Sequence, residues 1–442
     1  MRILMVGINY APDLVGVAKY NTELCETLAS FGHEVRVITA PPYYPEWRIP
    51  GSYRRWSYSS ETINNVQIKR APIYVPKTPT GAKRLLHHAS FALTSAWPLV
   101  SDAARWRPDL VFSVAPSLMS AALAARVARS IGALSWLHVQ DFEIDAAFDL
   151  GLLTHRGLRN PMIAIERRIL RSFDRVSTIS PHMAARLQYK GVQANKIREI
   201  RNWTDNLQIS PGSRDTSFRS ELCRDPSDFV GLYSGTMSNK QGLDLIIEAA
   251  RELEQTSPEI RFLLCGEGPH KSQLQSLAAG LKNVQFLGLQ TNERIAELLN
   301  TADFHLIPQR AEAADLVLPS KLGGILATGR PVIVMADPGS GLADEVTGAG
   351  LLVPPGDSQA LANAARKLKD NPDLCSNLGA TARKRALQRW DRTTILTMLE
   401  QSLLTAMSQN VAASKSTRVD AETGSSNKSD ELIAAKTFVR SD

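Results

Sequence analysis

LYSGTMSNKQG, residues 232–242, reads as a buried strand running straight into a turn suited to a phosphate. Phe229, Val230, Leu232 and Tyr233 make a short apolar run of strand formers, and Ser234-Gly235 ends it where the backbone must turn sharply. Lys240 follows, then Gly242, then the helical spacing of Leu243, Ile246, Ile247, Ala250 and Leu253. Small residues, exposed backbone N–H groups, a helix N-terminus and one cation suit a diphosphate. Taken alone, the segment is equally an ordinary strand-to-helix loop with a solvated lysine. Its position in the middle of 442 residues makes it informative, because a chain of that length divides into two domains.

On either side, strand and helix alternate. Before it, strands are expected at residues 3–7, 34–39, 109–115, 135–140, 176–179 and 197–200, with helices at 17–31, 118–131, 162–173 and 182–190. From residue 229 the pattern restarts, with strands at 229–233, 261–265, 284–287, 304–307 and 331–335 and helices between them. Such alternation gives parallel sheets covered on both faces, so the fold class is α/β with two doubly wound, Rossmann-like domains, 1–205 and 206–408. Asp205 to Pro226, rich in Pro, Gly, Ser and Asp, reads as the linker. Helical patterns at 359–369 and 374–407 end the folded part, and the last helix is free to pack back on the first domain. Residues 409–442, poor in large apolar side chains, read as a disordered tail.

An apolar content of 43% with 21% charged residues is that of a soluble globular protein, and no apolar run approaches the ~20 residues that cross a bilayer. Met1–Gly7 reads as a first strand rather than a signal peptide. The four cysteines are scattered, with neither zinc spacing nor a disulfide framework, which fits a reducing cytoplasm. The net charge of +7 is uneven, +10 over residues 1–205 and −3 over the remainder. No nucleic-acid motif accompanies the basic half, which leaves an anionic membrane surface, an anionic substrate, or a basic surface with no partner.

In open α/β sheets ligands bind beyond the carboxyl ends of strands. After the first strand, Asn9–Val17 places Gly16 at the start of a helix, and the absence of GxGxxG argues against a nicotinamide dehydrogenase. SWLHVQDFEID, residues 135–145, sets His138 and Asp141 at a strand end, followed by Glu143 and Asp145. Those acids suit either a metal or helix capping, and His138 suits either the core or a site. Cys265-Gly266-Glu267-Gly268-Pro269 follows another strand. Pro319-Ser320-Lys321 precedes a helix, with Ser320 as its expected cap. A lysine there opposes the helix dipole, which points to a bound anion.

As an ordered set, APDLVGVAKYN, VQDFEIDAAFDLGLL, YSGTMSNKQGL, LLCGEGP, VQFLG, LPSKLGGILATGRPVI and GLLVPPGD resemble the retaining glycosyltransferases of the GT-B fold, family 4, over about residues 1–400. VQDFEIDA and LVLPSKL look closest to the colanic-acid and exopolysaccharide branch. The resemblance implies two Rossmann-like domains facing across a cleft and transfer of a sugar from a nucleotide donor on the second to an acceptor on the first, with retention and without a metal or other cofactor. It implies that Lys240 and Lys321, with Ser234, Gly235 and Ser320, hold the donor diphosphate, that Gly16 closes over it, and that Gly266 and Glu267 line the nucleoside pocket. Asp141 and His138 would face the donor sugar and acceptor as catalytic residues. The branch suggests GDP-fucose as donor and a lipid-linked oligosaccharide as acceptor, with peripheral contact to the inner membrane through Tyr53–Trp56 and residues 83–107, including Phe91 and Trp97, which equally suit a core helix. Two family glutamates would fall at Leu316 and Gly324, and Glu312 and Asp315 lie out of register. That departure keeps a non-catalytic sugar-nucleotide or glycan-binding subunit as the alternative.

Overall fold

The structure, a computed structural model, describes residues 1–13, 16–142, 144–145, 156–223, 225, 227–310 and 318–410, with backbone only at Arg156, Leu158 and Lys240. The first sheet holds β1 (Arg2–Val6), β2 (Glu34–Thr39), β3 (Ser59–Ile63), β4 (Val66–Arg70), β5 (Leu110–Ala115), β6 (Leu134–Val139), β7 (Arg175–Thr178) and β8 (Ile197–Glu199), in the order β3-β4-β2-β1-β5-β6-β7-β8. The second holds β9 (Phe229–Ser234), β10 (Ile260–Cys265), β11 (Val284–Leu287), β12 (Phe304–Ile307), β13 (Val332–Met335) and β14 (Gly350–Val353), in the order β11-β10-β9-β12-β13-β14. Every pairing is parallel except the β3–β4 hairpin. Helices cover both faces, so β5, β6 and β10 are buried along their whole length, as near-continuous apolar runs require.

The direction of winding reverses at β1 in the first sheet and at β9 in the second. These are the switch points where a crevice opens at the strand ends. The loop after β1 contains Gly16 and the loop after β9 is the 232–242 segment, so both lie where a doubly wound sheet binds its ligand.

The β3–β4 hairpin and β14 lie outside the sequence expectation. Asn64 and Asn65, both at positive φ (47° and 64°), make the turn, a position where asparagine tolerates the left-handed region. The expected linker contains a helix, Ser217–Leu222, capped by the Thr216 hydroxyl, which accepts from the Arg219 N–H at 3.2 Å. Buried Arg219 anchors it by donating to Asp303. The expected helix at 374–407 is two. The first, Pro372–Arg389, stops at Trp390, and Asp391 caps the second, residues 392–410, by accepting from the Thr394 N–H at 2.8 Å. Leu396, Leu399, Leu403 and Ala406 of that second helix pack with Ile3, Met5, Leu24 and Val35 of the first sheet's core.

The chain therefore passes between the sheets twice, and the two passages pair. The Thr204 N–H donates to the Trp390 carbonyl at 2.7 Å, and the Arg392 N–H donates to the Thr204 carbonyl at 3.1 Å. Buried Glu345 ties both passages to the second sheet, accepting from Arg201 Nη1 at 2.6 Å, Arg389 Nη1 at 3.1 Å and Trp390 Nε1 at 3.3 Å. Removing one partner of a buried ion pair costs up to about 3–5 kcal/mol, and here Arg201 would keep Glu199, at 2.6 Å, as its other partner. Glu345→Ala should lower the unfolding free energy measured in urea by up to that amount, whereas Glu345→Gln, which keeps one acceptor oxygen for either Trp390 or the two arginines, should lose less.

Candidate active site

The second sheet's site is built on two loops interlocked by backbone. The Gly235 N–H donates to the Cys265 carbonyl and the Met237 N–H to the Glu267 carbonyl, both at 2.9 Å, and the His270 N–H donates back to the Met237 carbonyl at 3.1 Å. Gly235 and Gly266 sit at φ 147° and 149°, and a Cβ at Gly266 would collide with the Gly235 carbonyl. Glycine is thus required for the loops after β9 and β10 to touch. From the loop after β12, Arg310 donates through Nε to the Asn239 carbonyl at 2.8 Å and through Nη2 to Asp244 at 2.7 Å, fixing the turn that leads to Gly242. The Lys240 backbone belongs to that turn, Asn239–Gln241, while its side chain lies outside the described residues.

Lys321 projects beside this turn. Its ammonium stands 3.8 Å from the centroid of the Tyr233 ring and would lie 3.3 Å from a Cβ at Gly235. Tyr233 is fully buried and held by its hydroxyl, which donates to the Thr236 carbonyl at 2.7 Å, so it is a fixed platform. Burial pulls the Lys321 ammonium down to about 7. Among the described residues no carboxylate pairs with it. A half-buried lysine beside an open backbone turn is a cation in want of an anion.

Ser320 is not the helix cap that the sequence suggested. The helix runs Leu322–Ala327 with Lys321 itself at the cap position and no side-chain capping bond. The Ser320 side chain instead lies beside Tyr20 of α1 (Val17–Ser30), which follows β1 in the first sheet. Gly16 occupies the N-cap of α1 at φ 62° with no side-chain cap, so the first amides of that helix have no side-chain acceptor. Tyr20 also meets Trp203 edge-on at 5.2 Å, and Glu23 accepts from Trp203 Nε1 at 2.6 Å. Through Tyr20 and Ser320 the Gly16 end of α1 and Lys321 come to one stretch of the cleft.

His138 and Asp141 stand at the carboxyl end of β6. His138 is buried, and with the Gln140 amide donating to its Nε2 at 3.0 Å, its Nδ1–H donates to the Ser177 hydroxyl at 2.9 Å. Burial holds the imidazole down at about 4, so it is neutral near pH 7. Asp141 follows, half-buried. Asp145 is neutralised by Arg186 and Lys190, each at 2.9 Å, and Lys190 also pairs with buried Glu166, so this acid serves an ion-pair network. Glu143, Glu312, Asp315 and Leu316 lie outside the described residues. Glu267 pairs with Lys271 at 2.6 Å beside Gly266.

The structure thus brings together Ser234, Gly235, Gly266, Glu267, Ser320 and Lys321, and joins Gly16 to them through α1. His138 makes its hydrogen bonds within the first sheet. Tyr233, Tyr20 and Arg310 escaped the sequence reading. Tyr233 counted there as one more strand residue, and nothing local marks Tyr20 as reaching the other domain.

Residues 15–203 match the glycosyl transferase 4-like domain model and residues 228–371 match the model for glycosyl transferases group 1. Escherichia coli WcaI, assigned to colanic acid biosynthesis as a glycosyl transferase, is 42% identical over 344 residues, 76% of this chain and 84% of its own. Sucrose-phosphate synthase from Thermosynechococcus elongatus superposes with a TM-score of 0.71 at 20% identity, covering 92% of this chain and all of its own. Anabaena HepE, solved with UDP-glucose, superposes at 0.66 with 16% identity, over 92% of this chain and 100% of its own. These two likenesses are of fold.

Two outcomes follow from the geometry. Gly266→Ala forces a side chain into the Gly235 carbonyl at a left-handed position, so it should lower stability by about 1–3 kcal/mol in thermal unfolding. An anion beside Lys321 favours its protonated form, so affinity is full below the free value of about 7 and falls as pH rises above it. Calorimetric titration with a nucleotide sugar, whose diphosphate has no monoester proton to lose, should show up to about a tenfold loss per pH unit above 7, and Lys321→Met should flatten that profile.

Proposed function

Because the chain belongs to the GT-B glycosyltransferases that join a glycosyl transferase 4-like domain to a group 1 domain, we propose that its donor diphosphate lies between Lys321 and the N-terminus of α1. One observation carries this reading: a half-buried ammonium with no described carboxylate partner, beside the interlocked glycine turns at the second switch point. As the bond between the sugar's anomeric carbon and the diphosphate breaks, negative charge grows on the leaving oxygen. Lys321 and the Gly16 end of α1 stabilise it. The acceptor hydroxyl forms the new bond on the face the diphosphate leaves and gives its proton to the departing phosphate oxygen. The anomeric configuration is retained, and this charge compensation uses no metal.

Lys240 adds a second cation to the same phosphates, and Glu267 beside Gly266 borders the nucleoside. Asp141 faces the donor sugar and the acceptor. His138, neutral and hydrogen-bonded on both nitrogens, positions Gln140 and the strand end carrying Asp141 rather than supplying a proton.

The family relation to a colanic-acid enzyme supports a role in exopolysaccharide assembly. The donor we propose is GDP-fucose and the acceptor a lipid-linked oligosaccharide at the cytoplasmic face of the membrane. Among the described residues no helix is long and apolar enough to cross a bilayer, so the protein would meet that acceptor from the membrane's edge.

A second reading, a sugar-nucleotide-binding subunit without turnover, draws on Gly324. A side chain there would point at Ile209 and Leu299, 3.5 and 3.7 Å away, so the position offers apolar surroundings where the family pattern places an acid. A thermal-shift screen against GDP, UDP, ADP and their common sugars tests both readings. Stabilisation by one nucleotide series, with Lys321→Ala weakening it by about 1.5–3 kcal/mol, supports the donor site, and no stabilisation removes it. Release of nucleotide with a retained anomer, followed by proton NMR, supports the enzyme. Binding without release from any donor supports the subunit.

A further inference from the structure

The far edge of the first sheet carries two arginines on one face. Ser177 of β7 is the register partner of Arg198 of β8, and Arg175 stands two residues before Ser177, so the period of two puts Arg175 and Arg198 on the same side. Trp136 of β6, the partner of Arg175, packs in one core with Leu396, Leu399, Leu403 and Ala406, so the last helix, residues 392–410, covers that side. Beside this apolar stripe runs a second one, Met398, Gln401, Ser402, Thr405 and Gln409, which meets the two arginines around a cavity of about 220 Å³.

The cavity is rich in donors, and no acid lines it. Arg198 donates through Nη1 to the Asn195 and Ile197 carbonyls at 3.0 and 2.7 Å, and among the described residues its Nε and Nη2 have no acceptor. Arg175 donates through Nη1 to the Asp174 carbonyl at 2.9 Å and through Nη2 to the Gln409 side-chain oxygen at 2.6 Å. With its oxygen engaged, Gln409 keeps its amide nitrogen as a further donor. The neighbouring carboxylate, Asp174, is turned to Ser135, accepting from its N–H at 2.9 Å and its hydroxyl at 2.7 Å. Among the described residues neither arginine has an ion-pair partner, and burial together with the charge of Arg198 pulls the Arg175 guanidinium below its ordinary range. Two like charges held at one cavity favour an anion between them, and guanidinium forks match the oxygens of a phosphate.

We propose that Arg175, Arg198 and Gln401 bind the phosphate of a small effector, either inorganic phosphate or a phosphomonoester, and that this anion braces the last helix against β7 and β8. That helix continues from the passage at Trp390 to Arg392, which pairs with Thr204, so the brace tightens the join between the two sheets. Arg175 opens β7 at the amino end of the strand, whereas the donor loops follow the carboxyl ends of β1 and β9. The anion site is therefore separate from the donor diphosphate and does not rest on it.

The test is thermal unfolding and hydrogen exchange of the full chain in inorganic phosphate against sodium chloride at matched ionic strength, with GDP present throughout to occupy the donor turn. Phosphate is expected to raise the unfolding temperature above that in chloride and to slow exchange of the amides of residues 398–410 by at least about threefold. Arg175→Gln with Arg198→Gln should weaken phosphate binding at least about tenfold, the scale of lost charge-assisted hydrogen bonds. Gln401→Glu, at an exposed helix position, sets a carboxylate in the cavity and should do the same, so the test stands even where the double variant fails to fold. Lys321→Ala should leave the phosphate effect unchanged whatever becomes of GDP binding, which separates failure of this site from failure of the donor site. Glucose 6-phosphate acting at lower concentration than phosphate identifies a phosphomonoester, and the reverse order identifies the free ion. A phosphate effect no larger than that of chloride would overturn the proposal. So would an effect that survives in Gln401→Glu, or one that Lys321→Ala abolishes.

Discussion

The paired passages at Thr204 and Trp390 are the constraint on which the rest depends. Two stretches of backbone that join the sheets are hydrogen-bonded to each other, so the sheets are held at one place by main chain. Both halves of the candidate site are fastened there. Gly323, two residues after Lys321, packs where any side chain would strike the Thr204 hydroxyl and the Trp390 ring. On the other side, Glu23 of α1 accepts from Trp203 and lies 3.7 Å from Arg392, while Tyr20 stacks edge-on against Trp203. The lysine and the opposing helix N-terminus therefore take their positions from the same few residues, and opening of the cleft has to work against this point.

Around that anchor the site's electrostatics come from burial more than from ion pairs. Exposed lysines are hydrated and weakly committed; Lys321, against the Tyr233 ring, has lost water without gaining a carboxylate. A bound diphosphate would restore what burial removed. The first sheet shows the opposite treatment of charge, with Asp145, Lys190, Glu166 and Arg186 neutralising one another inside it. A network of that kind holds structure, and only the unpaired group is poised to act on a ligand.

Much of this was legible in the chain itself. Alternating strands and helices gave both sheets, because doubly wound strands buried on both faces read as apolar runs, and the loops after β1 and β9 fell at the switch points. Local signals failed where long-range partners decide. Ser320 has the sequence of a helix cap, yet Lys321 takes the cap position and Ser320 lies beside Tyr20, three hundred positions away in the chain. The break at Trp390-Asp391 was hidden in a continuous helical pattern, since the passage back to the first sheet, rather than helix propensity, ends the helix there. The Asn64-Asn65 turn was readable but short. Phe91 and Trp97 lie six residues apart in one helix, Gly81–Trp106, which buries the first and exposes the second.

The central claim is that one diphosphate is held between the two sheets, by Lys321 from the second and the α1 N-terminus from the first. Its most direct test is a crystal structure of the protein soaked with GDP. The account predicts a phosphate oxygen within hydrogen-bond distance of Lys321 Nζ, with the amides after Gly16 facing the same phosphates. A diphosphate bound away from Lys321, or held by the second sheet alone with α1 turned elsewhere, would contradict it.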